Sequence, residues 1–167
     1  MYFYGDIIFH SAGLGLRGVY AILISVRGRV RIRVGSLGRL SFKPGVYVYV
    51  GSGSGEASTS IEGRLIRHFS KTKRRHWHID YLLSNSQVEP IVAVFSETKG
   101  SYECALAKVL SESVWAKSPF KGFGSSDCSC PSHLIYFKDL SVNLVERVVK
   151  NSFRALCLTP RRSSVIR

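Results

Sequence analysis

Apolar runs and short polar breaks alternate along this chain, and the period of each run predicts its element. Gly18 to Val26 (GVYAILISV) is apolar on both faces, which suits a strand at the centre of a sheet. Around Tyr47 to Gly51 the pattern alternates, with Tyr47 and Tyr49 on one face and Val46, Val48 and Val50 on the other. Arg29-Val30-Arg31-Ile32-Arg33-Val34 alternates more strictly, arginine against aliphatic, and Leu40-Ser41-Phe42 follows beyond a turn at 35–38. Pro90 to Phe95 predicts a further buried strand, Ser132 to Phe137 a late one, and Ile7 to Phe9 a short edge strand. Helical spacing puts Ile61, Leu65 and Phe69 on one side of a helix and Arg64, Arg67, His68 and Lys71 on the adjoining side. Thr59, three positions before Glu62, reads as the capping box that opens it. His76-Trp77-His78-Ile79-Asp80-Tyr81-Leu82-Leu83 predicts a short helix. Ser101 caps a further helix carrying Glu103, Leu106, Ala107 and Leu110. Asn143 to Leu156 closes the chain as a helix with Leu144, Val148 and Ala155 inward. The order of elements predicts a mixed α/β layered fold.

The 167 residues, 45% apolar, suffice for one domain with a sizeable core. Its expected bounds are 1–158, with a core at about 18–110, an extension at 111–158 and a loose basic tail at 159–167. Lys+Arg number 24 against 11 Asp+Glu, a formal charge of +13, which calls for a polyanionic partner, nucleic acid by default; the bland alternative is a nonspecifically basic surface. No apolar run is long enough to span a bilayer, and the opening Met1 to Asp6 lacks the cationic start of a signal peptide. Cys104, Cys128, Cys130 and Cys157 form no evident disulfide framework, so the expected setting is a reducing cytoplasm.

Several residues could carry chemistry. Glu103 falls among leucines on its helical wheel, which suits either a divalent-metal ligand or a first-turn acid favoured by the helix dipole. Arg64 and His68 stand one helical turn apart and can address one anion together; the alternative is an exposed basic face. Arg29, Arg31 and Arg33 could form a ladder for a nucleic-acid backbone or a charged edge that resists aggregation. Arg67, Lys71, Lys73, Arg74 and Arg75 extend the basic surface. Cys128, Cys130 and His133 lie within six positions, with His76 and His78 elsewhere, and either bind zinc or form a packed turn bordering the site together with Asp127.

Taken together, Gly18-Val19-Tyr20, Tyr49-Val50-Gly51, Arg64-Leu65 with His68, and a later helix bearing Glu103 resemble the GIY-YIG nuclease superfamily. The HWHIDYLL and GFGSSDCSCPSH segments look like a mostly archaeal branch of it. The resemblance implies a small central antiparallel sheet flanked by helices, three-stranded in the family, hence an α+β fold. The tyrosine motifs stand 29 positions apart (49 − 20), so the Arg29–Phe42 segment reads as an inserted basic β-hairpin. The implied activity is metal-dependent hydrolysis of DNA phosphodiesters, with structure-specific cutting of the repair or recombination type as the finer expectation. Glu103 would bind one Mg2+ or Mn2+, Arg64 would offset phosphate charge, and Tyr20 would orient or deprotonate water, its phenolate favoured by nearby cations. Tyr49 and His68 would orient water and phosphate, with His68 the alternative base. The competing expectation is a nucleic-acid-binding module, for DNA or RNA, that no longer cuts and is stabilised by Zn2+. In either case a protein partner could supply specificity.

Overall fold

The computed structural model describes residues 2–4, 7–9, 15–55 and 57–165. In chain order the strands are β1 (Tyr2–Tyr4), β2 (Ile7–Phe9), β3 (Gly18–Val26), β4 (Val30–Arg33), β5 (Arg39–Phe42), β6 (Gly45–Gly53), β7 (Val88–Glu97), β8 (Ala116–Lys117), β9 (Leu134–Phe137) and β10 (Arg161–Val165). The helices are α1 (Ile61–Phe69), α2 (His78–Leu83), α3 (Glu103–Ser111) and α4 (Val142–Ala155). The fold is α+β: an eight-stranded antiparallel sheet in the order β1-β2-β10-β7-β3-β6-β9-β8 with helices on both faces. The expected three-stranded core is its centre, β7-β3-β6, and it is extended on both sides. β4 and β5 pair separately as the basic hairpin.

The sheet is buried on both faces because β3 and β6 carry side chains suited to two cores. Tyr20, Ile22, Ile24, Tyr47, Tyr49 and Phe95 face one core, closed by α1, α2, the hairpin and Phe123. Val19, Ala21, Leu23, Val48, Val50 and Val94 face the other, closed by α3 and α4. The hairpin turns Val30, Val34 and Phe42 into the first core and leaves Arg29, Arg31 and Arg33 exposed, as the alternation requires. Among the described residues, no helix is long and apolar enough to cross a membrane.

Five expectations need correction. Ser60, not Thr59, caps α1, accepting from Gly63 N; Glu62 instead accepts from Leu16 N at 3.0 Å, tying the helix to the segment before β3. α3 begins at Glu103 without a side-chain cap, so Ser101 does not serve as one. In α4 the buried stripe is Val145, Val149 and Phe153, while Leu144 and Ala155 are exposed; the inward face is turned one residue from the expected one. β2 is not an edge strand, since it lies between β1 and β10. The segment from Arg161 is not a loose tail: β10 pairs with β7 and β2, Arg161 pairs with Glu97, and Arg162 pairs with Glu146.

Candidate active site

Tyr20 stands in β3 opposite Gly51 of β6. Gly51 leaves the space its ring needs: a Cβ there would lie 2.5 Å from the ring carbon Cζ and from the phenolic oxygen. The ring thus runs across the neighbouring strand and delivers its Oη to His68 Nε2 at 2.9 Å. His68 reaches this point because α1 turns Leu65 into the core and so brings the position three residues on to the sheet. Tyr49 closes the cluster, its ring 5.9 Å from that of His68. Tyr20 and His68 are each 1% exposed.

The electrostatics follow from that burial. Burial pushes the Tyr20 phenol well above its ordinary range, and the Arg64 guanidinium beside it, by charge and hydrogen bond, recovers only part of the shift. The cation-favoured phenolate expected from the sequence therefore does not form in the resting protein. Tyr49 moves up for the same first reason, burial. His68 is pushed down to about 3, by burial first and then by Lys73, Arg64 and Arg67, so it is neutral at pH 7. Of the two candidate bases, the imidazole is the one already deprotonated.

Trp77 organises the mouth of the site. Its ring lies under two guanidinium groups, with Arg64 Cζ at 5.0 Å and Arg67 Cζ at 4.8 Å from the ring centre, and 5.7 Å from the His68 ring. Asp80, fully buried, fixes the segment that carries it: Oδ2 accepts from His76 N, Trp77 N and Arg67 Nη2 at 2.9, 3.0 and 2.7 Å. Burial alone would raise the Asp80 pKa, but the two backbone N–H groups and the Arg67 guanidinium outweigh it and hold it low. Neither Trp77 nor Asp80 was singled out from the sequence, although Asp80 has the third-position spacing of a reciprocal helix cap. An open cleft of about 540 Å³ lies outside, lined by Arg64, Arg67, Arg74, Arg75, His76 and Trp77 with Ser58 and Thr59, and among the described residues no acid lines it.

The other predicted basic residues divide. Arg74 and Arg75 are exposed at this cleft and Lys71 is exposed. Arg67 is held by Asp80 and by the Arg74 carbonyl, and Lys73 Nζ donates to the His68 carbonyl at 2.5 Å, so both brace the site. Arg29, Arg31 and Arg33 lie on the hairpin and do not line the cleft.

Glu103 approaches from the opposite side of the sheet. Ser52 Oγ, which shares the face of Val50, donates to Glu103 Oε2 at 2.5 Å, and Glu103 Oε1 lies 2.8 Å from His133 Nδ1. Its side chain is 22% exposed rather than set among the core leucines, yet it is near enough to Tyr20 and Tyr49 to raise both. Of the residues expected as a catalytic set, Tyr20, Tyr49, Arg64 and His68 lie together on one face, whereas Glu103 lies on the other face with Ser52 and His133 and does not line the cleft.

Behind Glu103 stands a second cluster. Cys104, Cys128, Cys130 and His133 hold their ligand atoms within 4.8 Å of one another. Cys104 was not singled out from the sequence; its signal was its place beside Glu103 at the start of α3. Burial opposes protonation of His133, but Glu103 and Cys128 outweigh it and raise its pKa. His78 sits apart, accepting from Gly124 N at 3.1 Å through Nδ1; His76 lies at the cleft, and Asp127 is exposed in the loop. Gly124, at φ +73°, allows that loop to pass 2.8 Å from the Tyr49 ring and 3.2 Å from His133 Cβ, measured from where a Cβ would stand.

The site and sheet define a small α+β domain with a buried Tyr–His pair beneath an arginine-lined cleft. The chain belongs to the family described as domain of unknown function DUF123, whose model matches residues 19–156, a span that includes every residue of both clusters. No curated protein matches it, and no solved structure does.

Proposed function

We infer that the chain is a divalent-metal-dependent endonuclease of the GIY-YIG type, hydrolysing phosphodiester bonds in DNA. The observation that carries this reading is the Tyr20–His68 hydrogen bond at 2.9 Å, with Arg64 beside Tyr20 and also lining the cationic cleft. A phosphate drawn into the cleft by Arg64, Arg74 and Arg75 meets a guanidinium that already touches the buried pair. Its negative charge offsets the cations that help hold His68 down, so His68 becomes a better base as substrate binds. Neutral His68 then accepts the Tyr20 proton while Tyr20 takes one from the attacking water. Arg64 offsets the charge that gathers on the phosphate oxygens.

The carboxylate chemistry fits one hydrated cation. Glu103 gives one contact to Ser52 from one oxygen and one to His133 from the other, and a carboxylate has about four lone-pair directions, so acceptor capacity is left on a partly exposed side chain. A Mg2+ or Mn2+ held there would polarise the phosphoryl oxygen and stabilise the leaving alkoxide. The unpaired thiols suit a cytoplasmic setting.

The burial of Tyr20 and His68 favours a second reading, a nucleic-acid-binding module that does not cut. Both are tested by incubating linear, flapped and branched DNA, and RNA, with Mg2+ or Mn2+. Cleavage that falls at least ~100-fold in Tyr20→Phe and in Arg64→Ala supports the nuclease. Binding of every substrate without cleavage selects the second reading. Cleavage indifferent to both substitutions overturns the assigned site.

A further inference from the structure

We propose that Cys104, Cys128, Cys130 and His133 bind one structural Zn2+ as a closed Cys3His site, with Glu103 as the carboxylate partner of the ligating histidine. The four donors come from two distant stretches, the start of α3 and the loop before β9, and their ligand atoms fall within 4.8 Å of one another. His133 Nε2 lies 3.8 Å from Cys104 Sγ and 3.5 Å from Cys128 Sγ. Tetrahedral zinc with ordinary Zn–S and Zn–N lengths requires sulfur–nitrogen separations of about 3.6 Å. The two sulfur–nitrogen pairs thus stand close to coordination spacing, and small side-chain adjustments would bring all four donors onto one ion.

Donor chemistry selects the metal. Three thiolates and an imidazole in a compact set suit zinc, whereas Mg2+ and Ca2+ prefer oxygen. Four protein donors leave no open position, which marks a structural ion. A disulfide would use two of the three thiols and strand the third beside the histidine. The imidazole is pre-set for ligation: it is 2% exposed, its Nε2 faces the thiols, and its Nδ1 faces Glu103 Oε1 at 2.8 Å. A carboxylate on the far nitrogen fixes the tautomer and ring plane of a zinc-bound histidine.

The site also meets a structural need. The loop from Phe120 to Ser132 buries Phe123 as its one wholly buried hydrophobic residue, packs Phe120 against Phe42, and is otherwise held by a few hydrogen bonds, such as Gly122 N to the Pro131 carbonyl at 2.8 Å and Gly124 N to His78 Nδ1 at 3.1 Å. A metal joining it to α3 would fix the loop and hold Glu103 where it meets Ser52.

The test uses the full chain purified without chelator, its metals measured by elemental analysis and its zinc affinity by competition with a chromogenic chelator. Expected is about one zinc per chain, and, on exchange with Co2+, a tetrahedral visible spectrum with thiolate charge-transfer bands. Cys157→Ser, outside the cluster, keeps both, and Cys128→Ser weakens binding and alters the charge-transfer band. Glu103→Gln keeps one zinc at saturation but binds it roughly 10–100-fold more weakly. Substoichiometric zinc that added Zn2+ does not restore, another metal in its place, or a cobalt spectrum without thiolate bands overturns the proposal. These readouts involve no nucleic acid, so a chain that holds zinc and cuts nothing counts against the nuclease alone.

Discussion

Substituting Gly51 with alanine tests whether the Tyr20 ring lies where the site requires it. Gly51 lies in a paired strand and its φ is not positive, so the backbone itself accepts alanine. The added methyl would stand 2.5 Å from two atoms of the Tyr20 ring system, whereas carbon atoms settle at about 3.5–4.0 Å. The ring must yield by about 1 Å, and at 1% exposure it has no free volume to enter. Overpacking of this kind costs about 1–3 kcal/mol. The same shift stretches the 2.9 Å bond to His68 beyond hydrogen-bond range, adding about 1 kcal/mol. The expected loss is about 2–4 kcal/mol, read by urea denaturation at pH 7. In Tyr20→Ala the obstacle is gone, and adding Gly51→Ala to it is nearly neutral, so the double-mutant cycle shows a coupling of about 2–4 kcal/mol. Additivity within about 0.5 kcal/mol would refute the packing of Tyr20 over Gly51.

Three further outcomes are expected. His68, neutral when folded with a pKa near 3 and about 6.5 when unfolded, leaves the unfolded chain binding the extra proton between those values, so stability falls as pH drops below about 6.5. The slope is about 1.4 kcal/mol per pH unit, or about 2 kcal/mol at pH 5, and His68→Phe removes it; denaturation curves with the same pH dependence in both proteins would sink this account. Asp80→Ala leaves the Arg67 guanidinium and two backbone N–H groups without their acceptor and costs about 3 kcal/mol, the low end for a buried pair because Arg67 is part exposed; a loss under 1 kcal/mol contradicts that role. Replacing Arg74 and Arg75 together with alanine lowers the salt slope of duplex binding by about 2, measured by anisotropy from low to moderate salt, and an unchanged slope removes the cleft as the phosphate track.

Local pattern made the central strands and helices readable, because one face or both of each must be buried and the side-chain period declares it. The arginine–aliphatic alternation from Arg29 to Val34 is the clearest case, with exposure following parity residue by residue. What pattern could not show was anything set by partners far away in the chain. Leu144 looked inward on the α4 wheel until the sheet fixed which side was covered, and β10 is polar enough to pass for a tail until β7 offers it hydrogen bonds. At the site, Tyr20, Arg64 and His68 were expected together through the resemblance in motif order, but the protonation order of Tyr20 and His68 depends on burial. Cys104 was not read as a ligand because Cys128 stands 24 positions further on (128 − 104), and the return of the loop onto α3 makes them neighbours.

The position of β10 also dictates when the molecule can be completed. Ile8 pairs with Ser164, so among the described strands β1 and β2 join the central sheet through β10. During synthesis the β10-facing sides of β2 and β7 stay bare until the segment Arg161–Val165 has been made. Closing so long a loop carries a modest entropic toll but enforces a late step. A chain interrupted shortly before Arg161 would thus display two unpaired strand edges at once, a natural mark for self-association or proteolysis.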